Sequence, residues 1–381
     1  MRQYKIAFLT SIDPRNKSAL SGSSHYIYKA LEKHVGDIDI LGPVSVESWF
    51  SKIIARISNR LPWKYNLSHS YYFALKYANR FSKKISGKQY DFIFAARSST
   101  EMSLLKTDIP IIYFSDTTFN LLYNYYDWFS NFMTISVLEG NSIERRSINK
   151  SAIIIFSSDW AAQSAIEYYG ANPSKVHVIP FGPNIDNIPT RDDALKVKDR
   201  EICKLLFVGV EWERKGGQIA FDTLLALKKM GLNASLTVLG CTPPDNIVDD
   251  DLIVIPFLNK NKEDESKRFN ALFEESHFFI LPTKQECFGV VFCEASAFGL
   301  PSLTSDTGGI SGAVKNNING FRFNVSDGGD EYATKVYSIF TDYENKYTPL
   351  CVSSRELYDK ELNWEAFGKS VRKLMNNYTD R

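Results

Sequence analysis

The chain has 381 residues, of which 44% are hydrophobic, 14% aromatic and 23% charged, with a formal net charge of +1. That length is ample for two hydrophobic cores, and the composition excludes a disordered chain, a collagen-like repeat and a disulfide-stapled mini-protein. No apolar run approaches the ~18 residues of a membrane-spanning helix, and the near-neutral total hides a cationic window, residues 48–90, that contains no Asp or Glu.

The opening run Tyr4-Lys5-Ile6-Ala7-Phe8-Leu9 is too brief and too quickly polar for a secretory signal and reads as a first β-strand. Further short β-branched runs at 38–41, 92–95, 111–114, 152–156 and 176–179 predict strands, and helix-length stretches such as 158–169 lie between several of them. Pro180-Phe181-Gly182-Pro183 and the charged stretch to about residue 200 read as a linker. The pattern then restarts, with strands predicted at 204–208, 235–239, 252–255, 278–281, 301–304 and 321–325 and a helix at 218–230. A last amphipathic helix, 363–378, follows the second series and needs a surface to dock on. Strands alternating with helices predict an α/β protein with parallel sheets. Two such series predict two Rossmann-like α/β domains facing across a cleft: residues 1–183, residues 184–360, and a terminal segment 361–381.

Three loops carry the chemistry. In Leu281-Pro282-Thr283-Lys284-Gln285-Glu286-Cys287-Phe288-Gly289, a strand ends at Leu281 and a helix begins near Gly289, so Glu286 sits past the carboxyl end of a strand, where open α/β sheets form their binding crevices. Glu294 falls inside that helix among Val290, Val291, Phe292, Cys293, Ala295 and Ala297. A helix apolar nearly all round is buried, so this carboxylate needs a partner. Sugar hydroxyls would serve, as would a structural pairing with a backbone or basic group. In Phe207-Val208-Gly209-Val210-Glu211-Trp212-Glu213-Arg214-Lys215-Gly216-Gly217, two adjacent cations are expected at a helix start, where the macrodipole disfavours them unless an anion binds. Pairing with Glu211 and Glu213 is the alternative. Asp306-Thr307-Gly308-Gly309 offers a glycine pair whose amides suit a phosphate.

Other motifs carry less. Gly368-Lys369-Ser370 mimics the end of a P-loop but lies in the amphipathic helix, and Asp249-Asp250-Asp251 reads as a polar turn rather than a metal-binding D-x-D. The five histidines have no metal-ligand spacing and no G-x-G-x-x-G follows the first strand, and no metal and no cofactor are expected. The five cysteines form no C-x-x-C pair and read as small buried residues in a reducing cytoplasm.

Taken in order, these elements resemble the family-4 glycosyltransferases of the GT-B fold, most strongly over residues 204–323. Glu286 and Glu294 match the family's E-x7-E motif, within the wider P-x-x-x-E-x-F-G-x-x-x-x-E-A pattern and the later G-G and N-G-F. The resemblance implies a nucleotide-diphosphate sugar (UDP- or GDP-linked) in the C-terminal domain, an acceptor in the N-terminal domain, and a C-terminal helix crossing back to the first domain. It implies hexosyl transfer with retention to a glycan or lipid-linked acceptor, as in cell-surface polysaccharide or glycolipid synthesis, and no metal is required if Arg214 and Lys215 already stand at the diphosphate. Within it, Glu294 falls where the family holds the donor ribose, Glu286 where it contacts the donor sugar, and Arg214 and Lys215 where it neutralises the diphosphate. Gly308 and Gly309 match its backbone-donor loop, Gly22 in Ser21-Gly22-Ser23-Ser24 its N-terminal glycine loop, and Phe257-Leu258 would flank the base. Gly209, Phe288, Gly289 and Val290 complete the implied donor set. Asp116 stands near the family's usual histidine, Val210 where many members carry Arg, Cys287 in place of the common Gly, and Ser311-Gly312 in place of Pro-Glu. Alternatives are an epimerase or phosphorylase on the same fold, or a non-catalytic nucleotide-sugar-binding homologue.

The cationic window holds Lys52, Arg56, Arg60, Lys64, Lys76, Arg80, Lys83, Lys84 and Lys88, interleaved with Trp49, Trp63, Tyr65, Tyr71 and Tyr72. Phe50, Ile53, Ile54, Ile57 and Leu61 recur at helical spacing, beside Lys52, Arg56 and Arg60, until Pro62 stops the helix. That pattern fits a segment lying on an anionic membrane surface, which predicts a cytoplasmic protein peripheral to the inner membrane face. An ordinary helix with a solvated basic face fits it too. No nucleic-acid recognition motif accompanies the charge, so nucleic acid is not expected.

Overall fold

The computed structural model describes residues 3–17, 22–58 and 60–380. Ser21, expected at the head of the first glycine loop, lies outside the described residues. The chain divides into two compact units, Met1–Pro180 with Trp364–Arg381, and Phe181–Asn363.

The first unit is built on six parallel strands: β1 (Tyr4–Leu9), β2 (Gly36–Ile40), β3 (Phe92–Ala96), β4 (Ile111–Ser115), β5 (Ile153–Phe156) and β6 (Val176–Val178), in the order β2-β1-β3-β4-β5-β6. The central strands FIFAA, IIYFS and IIIF are buried at every position, as strands covered on both faces must be. The helix expected at 158–169 runs Asp159–Glu167; Ser158 caps it, its hydroxyl accepting from the Ala161 amide.

The last helix, Trp364–Thr379, belongs to this first unit. Trp364 stacks on Tyr26 of the helix Ser23–His34, and Phe367 meets Phe114 of β4 edge-on. Arg372 donates to the His34 carbonyl at 2.6 Å. A Cβ on Gly368 would stand 2.8 Å from the Ala30 carbonyl oxygen and 2.7 Å from the His34 ring. The glycine of the P-loop mimic therefore lets two helices approach.

The second unit repeats the plan with β7 (Cys203–Val208), β8 (Ala234–Leu239), β9 (Leu252–Ile255), β10 (Phe278–Leu281), β11 (Ser302–Ser305) and β12 (Gly320–Phe323), all parallel, in the order β12-β11-β10-β7-β8-β9. The order reverses between β7 and β10, so the loops leaving their carboxyl ends flank the topological switch point of this sheet.

The stretch expected as a linker is held to the second unit. A short helix, Arg191–Ala194, sits within it; Arg191 pairs with Glu356 and Asp359, while Arg355 donates to the carbonyls of Pro189 and Ala297. Composition alone suggests a loose segment, whereas these ion pairs and hydrogen bonds tie the stretch to the second unit. Four of the five cysteines are buried, Cys241 being half-buried, and all five are free thiols. Among the described residues no helix is long and apolar enough to cross a membrane.

Candidate functional site

The second unit gathers three of the predicted loops at the carboxyl ends of β7, β10 and β11. After β7, Gly209 donates to the Leu239 carbonyl at 2.9 Å, and the chain then makes a single separate helical turn, Trp212–Lys215. That turn ends at Gly216, whose left-handed φ of 76° caps it and starts the next helix, Gly217–Lys229. Arg214 and Lys215 thus lie in the last turn of a short helix, not at the start of a long one as expected. The macrodipole argument for an anion at these cations does not hold, because a helix C-terminus favours positive charge. The turn is separate because Trp212 is buried against Phe207, and Gly217 packs on the Trp212 ring, where a Cβ would stand at 2.2 Å.

The loop after β10 is laced to this turn. The Lys284 amide donates to the Arg214 carbonyl at 2.9 Å, and Arg214 Nη1 donates to the Gln285 carbonyl at 3.1 Å. Arg214 Nε also donates to Glu211 at 2.6 Å, a hydrogen bond that holds the Glu211 carboxyl below the usual glutamate range. The pairing of Arg214 with Glu211, foreseen as the alternative, is present beside its bond to the second loop. Lys215 Nζ forms an ion pair with the Glu286 carboxylate. Gly209 permits it, since a Cβ there would stand 3.0 Å from the lysine Cγ.

The third loop joins through the backbone. Gly308 is left-handed at φ 54°, and the Gly309 amide donates to the Glu286 carbonyl at 3.1 Å. This amide is already engaged by Glu286, so the glycine pair braces the Glu286 loop. Gly289, at φ 84°, starts the helix Val290–Ala297, and a Cβ there would strike Phe292 at 2.5 Å. Phe288 is buried against Phe181, a core position, while Phe257 stands exposed just past β9 with Leu258 beside it.

Glu294 is buried, as expected for that helix, and it has a cation for a partner: Lys260 Nζ lies 3.1 Å from its carboxylate. The same ammonium donates to the Asn184 carbonyl at 3.1 Å and stands over the Phe269 ring. Lys260 is the residue that reading the sequence missed. A buried carboxylate asks for a cation, but nothing local says which of 45 lysines and arginines supplies it.

In the first unit, Gly22 is left-handed at φ 87° and precedes the helix Ser23–His34; a Cβ there would stand 3.1 Å from the Lys17 carbonyl oxygen. Asp116, past β4, pairs with Arg97 Nη2 at 3.0 Å. Arg97, past β3, holds a left-handed φ of 51° and was not anticipated. Among the described residues no group of three or more His, Cys, Asp or Glu could hold a metal ion, and Asp249 and Asp251 both grip Lys228.

Residues 203–342 match the family described as Glycosyl transferases group 1, and residues 23–187 match Glycosyltransferase Family 4. A D-inositol 3-phosphate glycosyltransferase of Corynebacterium jeikeium is 23% identical over 253 residues, 61% of this chain and 58% of that protein. The chain therefore spans somewhat over half the length of such curated relatives. Among solved structures, the sucrose-phosphate synthase of Thermosynechococcus elongatus superposes with a TM-score of 0.66 at 16% identity, covering all of both chains. Anabaena HepE, crystallised with UDP and glucose, superposes with a TM-score of 0.62 at 14% identity, over 98% of this chain and 100% of its own. The fold is GT-B, and the chain belongs to the group 1, family-4 type glycosyltransferases.

Proposed function

We propose that this protein transfers a hexosyl group from a UDP- or GDP-sugar to a glycan or lipid-linked acceptor, with retention of anomeric configuration and without a metal. The Lys215–Glu286 ion pair, at the switch point of the second sheet and tied to Arg214 and the Gly308-Gly309 loop, carries the reading. In transfer, the bond from the sugar's anomeric carbon to the diphosphate oxygen breaks, the diphosphate leaves with the electron pair, and the acceptor oxygen bonds to that carbon on the same face while its proton passes to the departing diphosphate. Lys215 and Arg214 are the cations that balance this growing charge, and preorganised groups of that kind are worth ~3–4 kcal/mol each. Glu286, released from Lys215 as the diphosphate takes its place, accepts hydrogen bonds from the donor sugar, and Glu294 accepts them from the ribose. In the first unit, Asp116 orients the acceptor hydroxyl. HepE, crystallised with UDP and glucose, supports a nucleotide-sugar donor. The setting is cytoplasmic, in cell-surface polysaccharide or glycolipid assembly.

The test is a thermal-shift screen of UDP, GDP, ADP and dTDP without added metal. One diphosphate is expected to raise Tm in the wild type and to do so much less in Lys215→Ala, since a ligand at 100 times its Kd adds about 2.7 kcal/mol to stability. Transfer from the matching sugar, followed by NMR, then reads the product anomer. If none of the diphosphates stabilises the protein, the reading falls.

A further inference from the structure

The helix Trp49–Ser58 in the first unit sits with its apolar side outward. Its buried positions are Ser51 and Ser58, and these project about 20° apart on a helical wheel at 100° per residue. The opposite arc holds Trp49, Phe50, Ile53 and Ile57, all exposed, with Trp49 at 75%. Along one margin of this arc run Lys52, Arg56 and, just past the helix, Arg60, also exposed. An ordinary amphipathic helix buries its large apolar residues against the core. This one docks through serines and leaves Trp49, Phe50, Ile53 and Ile57 exposed, with Ile54 half-buried.

The exposed surface continues beyond the helix. The Tyr65 amide donates to Ser58 Oγ at the helix end. Residues 64–66 are then stitched to 131–139: Lys64 N to the Asn131 carbonyl at 2.7 Å, Met133 N to the Lys64 carbonyl at 2.9 Å, and Asn66 N to Ser136 Oγ at 2.9 Å. Tyr65 closes the set with a hydrogen bond to Glu139 at 2.6 Å. Both stitched segments expose large apolar side chains, Leu61 and Trp63 on one, Ile135 and Leu138 on the other. Among the described residues, none of Lys52, Arg56, Arg60, Lys64, Arg80, Lys83 and Lys84 takes part in an ion pair. The helix and the stitched segments therefore combine tryptophans and branched aliphatics with the unpaired cations Lys52, Arg56, Arg60 and Lys64.

We infer that this face seats the protein on an anionic lipid bilayer, with Trp49, Ile53, Ile57 and Trp63 entering the headgroup region and Lys52, Arg56 and Arg60 meeting lipid phosphates. The charge names the occupant. An apolar protein partner or a second copy of this chain would gain nothing from Lys52, Arg56, Arg60 and Lys64, none of them ion-paired, whereas an anionic leaflet attracts each of them, by roughly fivefold in partition per residue at its surface. Large exposed aromatics beside lysines and arginines suit the interface between headgroups and acyl chains. This inference does not depend on the donor-site reading, since none of its residues belongs to the Lys215–Glu286 cluster.

The experiment is co-sedimentation of the full chain with vesicles of phosphatidylcholine alone or with 30% phosphatidylglycerol, in low and high salt. The wild type is expected to bind the anionic vesicles at low salt and to lose most of that binding at high salt. The triple variant Lys52→Gln, Arg56→Gln, Arg60→Gln is expected to bind about a hundredfold more weakly, and Trp49→Ser with Ile57→Ser to bind at least tenfold more weakly with all its charges intact. Unchanged circular dichroism and an unchanged nucleotide thermal shift identify both variants as folded. No binding to anionic vesicles at low salt, or undiminished binding by both variants, overturns the proposal. So does a dimer in sedimentation equilibrium that Trp49→Ser with Ile57→Ser dissolves, because a second copy would then cover the face.

Discussion

Lys215 and Glu286, 71 residues apart in the chain, form an ion pair at the switch point of the second sheet, with side chains only 13% and 15% exposed. Each is a counter-charge to the other. A diphosphate can replace the carboxylate at the ammonium, and sugar hydroxyls can replace the ammonium at the carboxylate, without leaving either charge bare.

Because the two charges compensate one another, stability and activity should respond differently to their removal. Lys215→Ala and Glu286→Ala are each expected to cost about 1–3 kcal/mol in urea unfolding, by removing the counter-charge that the remaining partner has in this ion pair. The double variant should recover part of that loss. Transfer activity should fall a hundredfold or more in each single variant and stay lost in the double variant. Recovery of activity in the double variant would assign the pair to the scaffold alone.

Glu294 and Lys260 give a second contrast. Glu294→Ala is expected to weaken nucleotide diphosphate binding by about 10- to 100-fold, as befits a carboxylate accepting charged hydrogen bonds. Lys260→Met leaves the buried carboxylate without its cation; since the lysine is itself partly exposed, the cost should be about 1–2 kcal/mol. Saturating nucleotide should restore part of it if ribose hydroxyls become the substitute partners. Isothermal titration and thermal unfolding with and without nucleotide measure both effects.

Gly216 joins the two loops sterically. Its φ is 76°, and a Cβ there would lie 2.0 Å from the Pro282 carbonyl oxygen, a rigid backbone atom. Gly216→Ala is expected to destabilise the second unit by about 3 kcal/mol and to raise the KM for donor by shifting the Lys215 turn. A variant with wild-type urea midpoint and KM would show that the turn can move freely.

A pH effect is expected in the first unit. Burial pushes the Glu144 carboxyl up to about 7, and the Tyr113 hydroxyl donates to it at 2.8 Å. Between pH 4.5, the unfolded value, and pH 7 the folded state binds more protons, so this group removes stability as pH rises across that window. The loss amounts to about 3 kcal/mol by pH 7. In Glu144→Gln the amide carbonyl still accepts from Tyr113, so the difference in unfolding free energy between wild type and variant should swing by that amount between pH 4.5 and 7. Parallel curves would mean that Glu144 titrates as an exposed carboxyl does.

Strand positions were legible to within a residue or two. Runs such as Phe278-Phe279-Ile280-Leu281 are buried on both faces and carry no competing pattern, and the left-handed glycine at 289 marked its helix start. That Glu294 would be buried was equally plain from the apolar residues surrounding it on its own helix. These are local properties, set by side-chain period and backbone sterics. Which charge would meet which was not local. The Lys215–Glu286 and Lys260–Glu294 pairs depend on β7 lying beside β10 and on where the chain turns after β9, and sheet order is a product of how whole layers pack. The helix Trp49–Ser58 makes the same point from the other side: its sequence announces an amphipathic helix, but hydrophobic periodicity names a face without naming what that face meets. Packing turned the serines inward, where Ser58 Oγ accepts from the Tyr65 amide and the neighbouring Asn66 amide donates to Ser136.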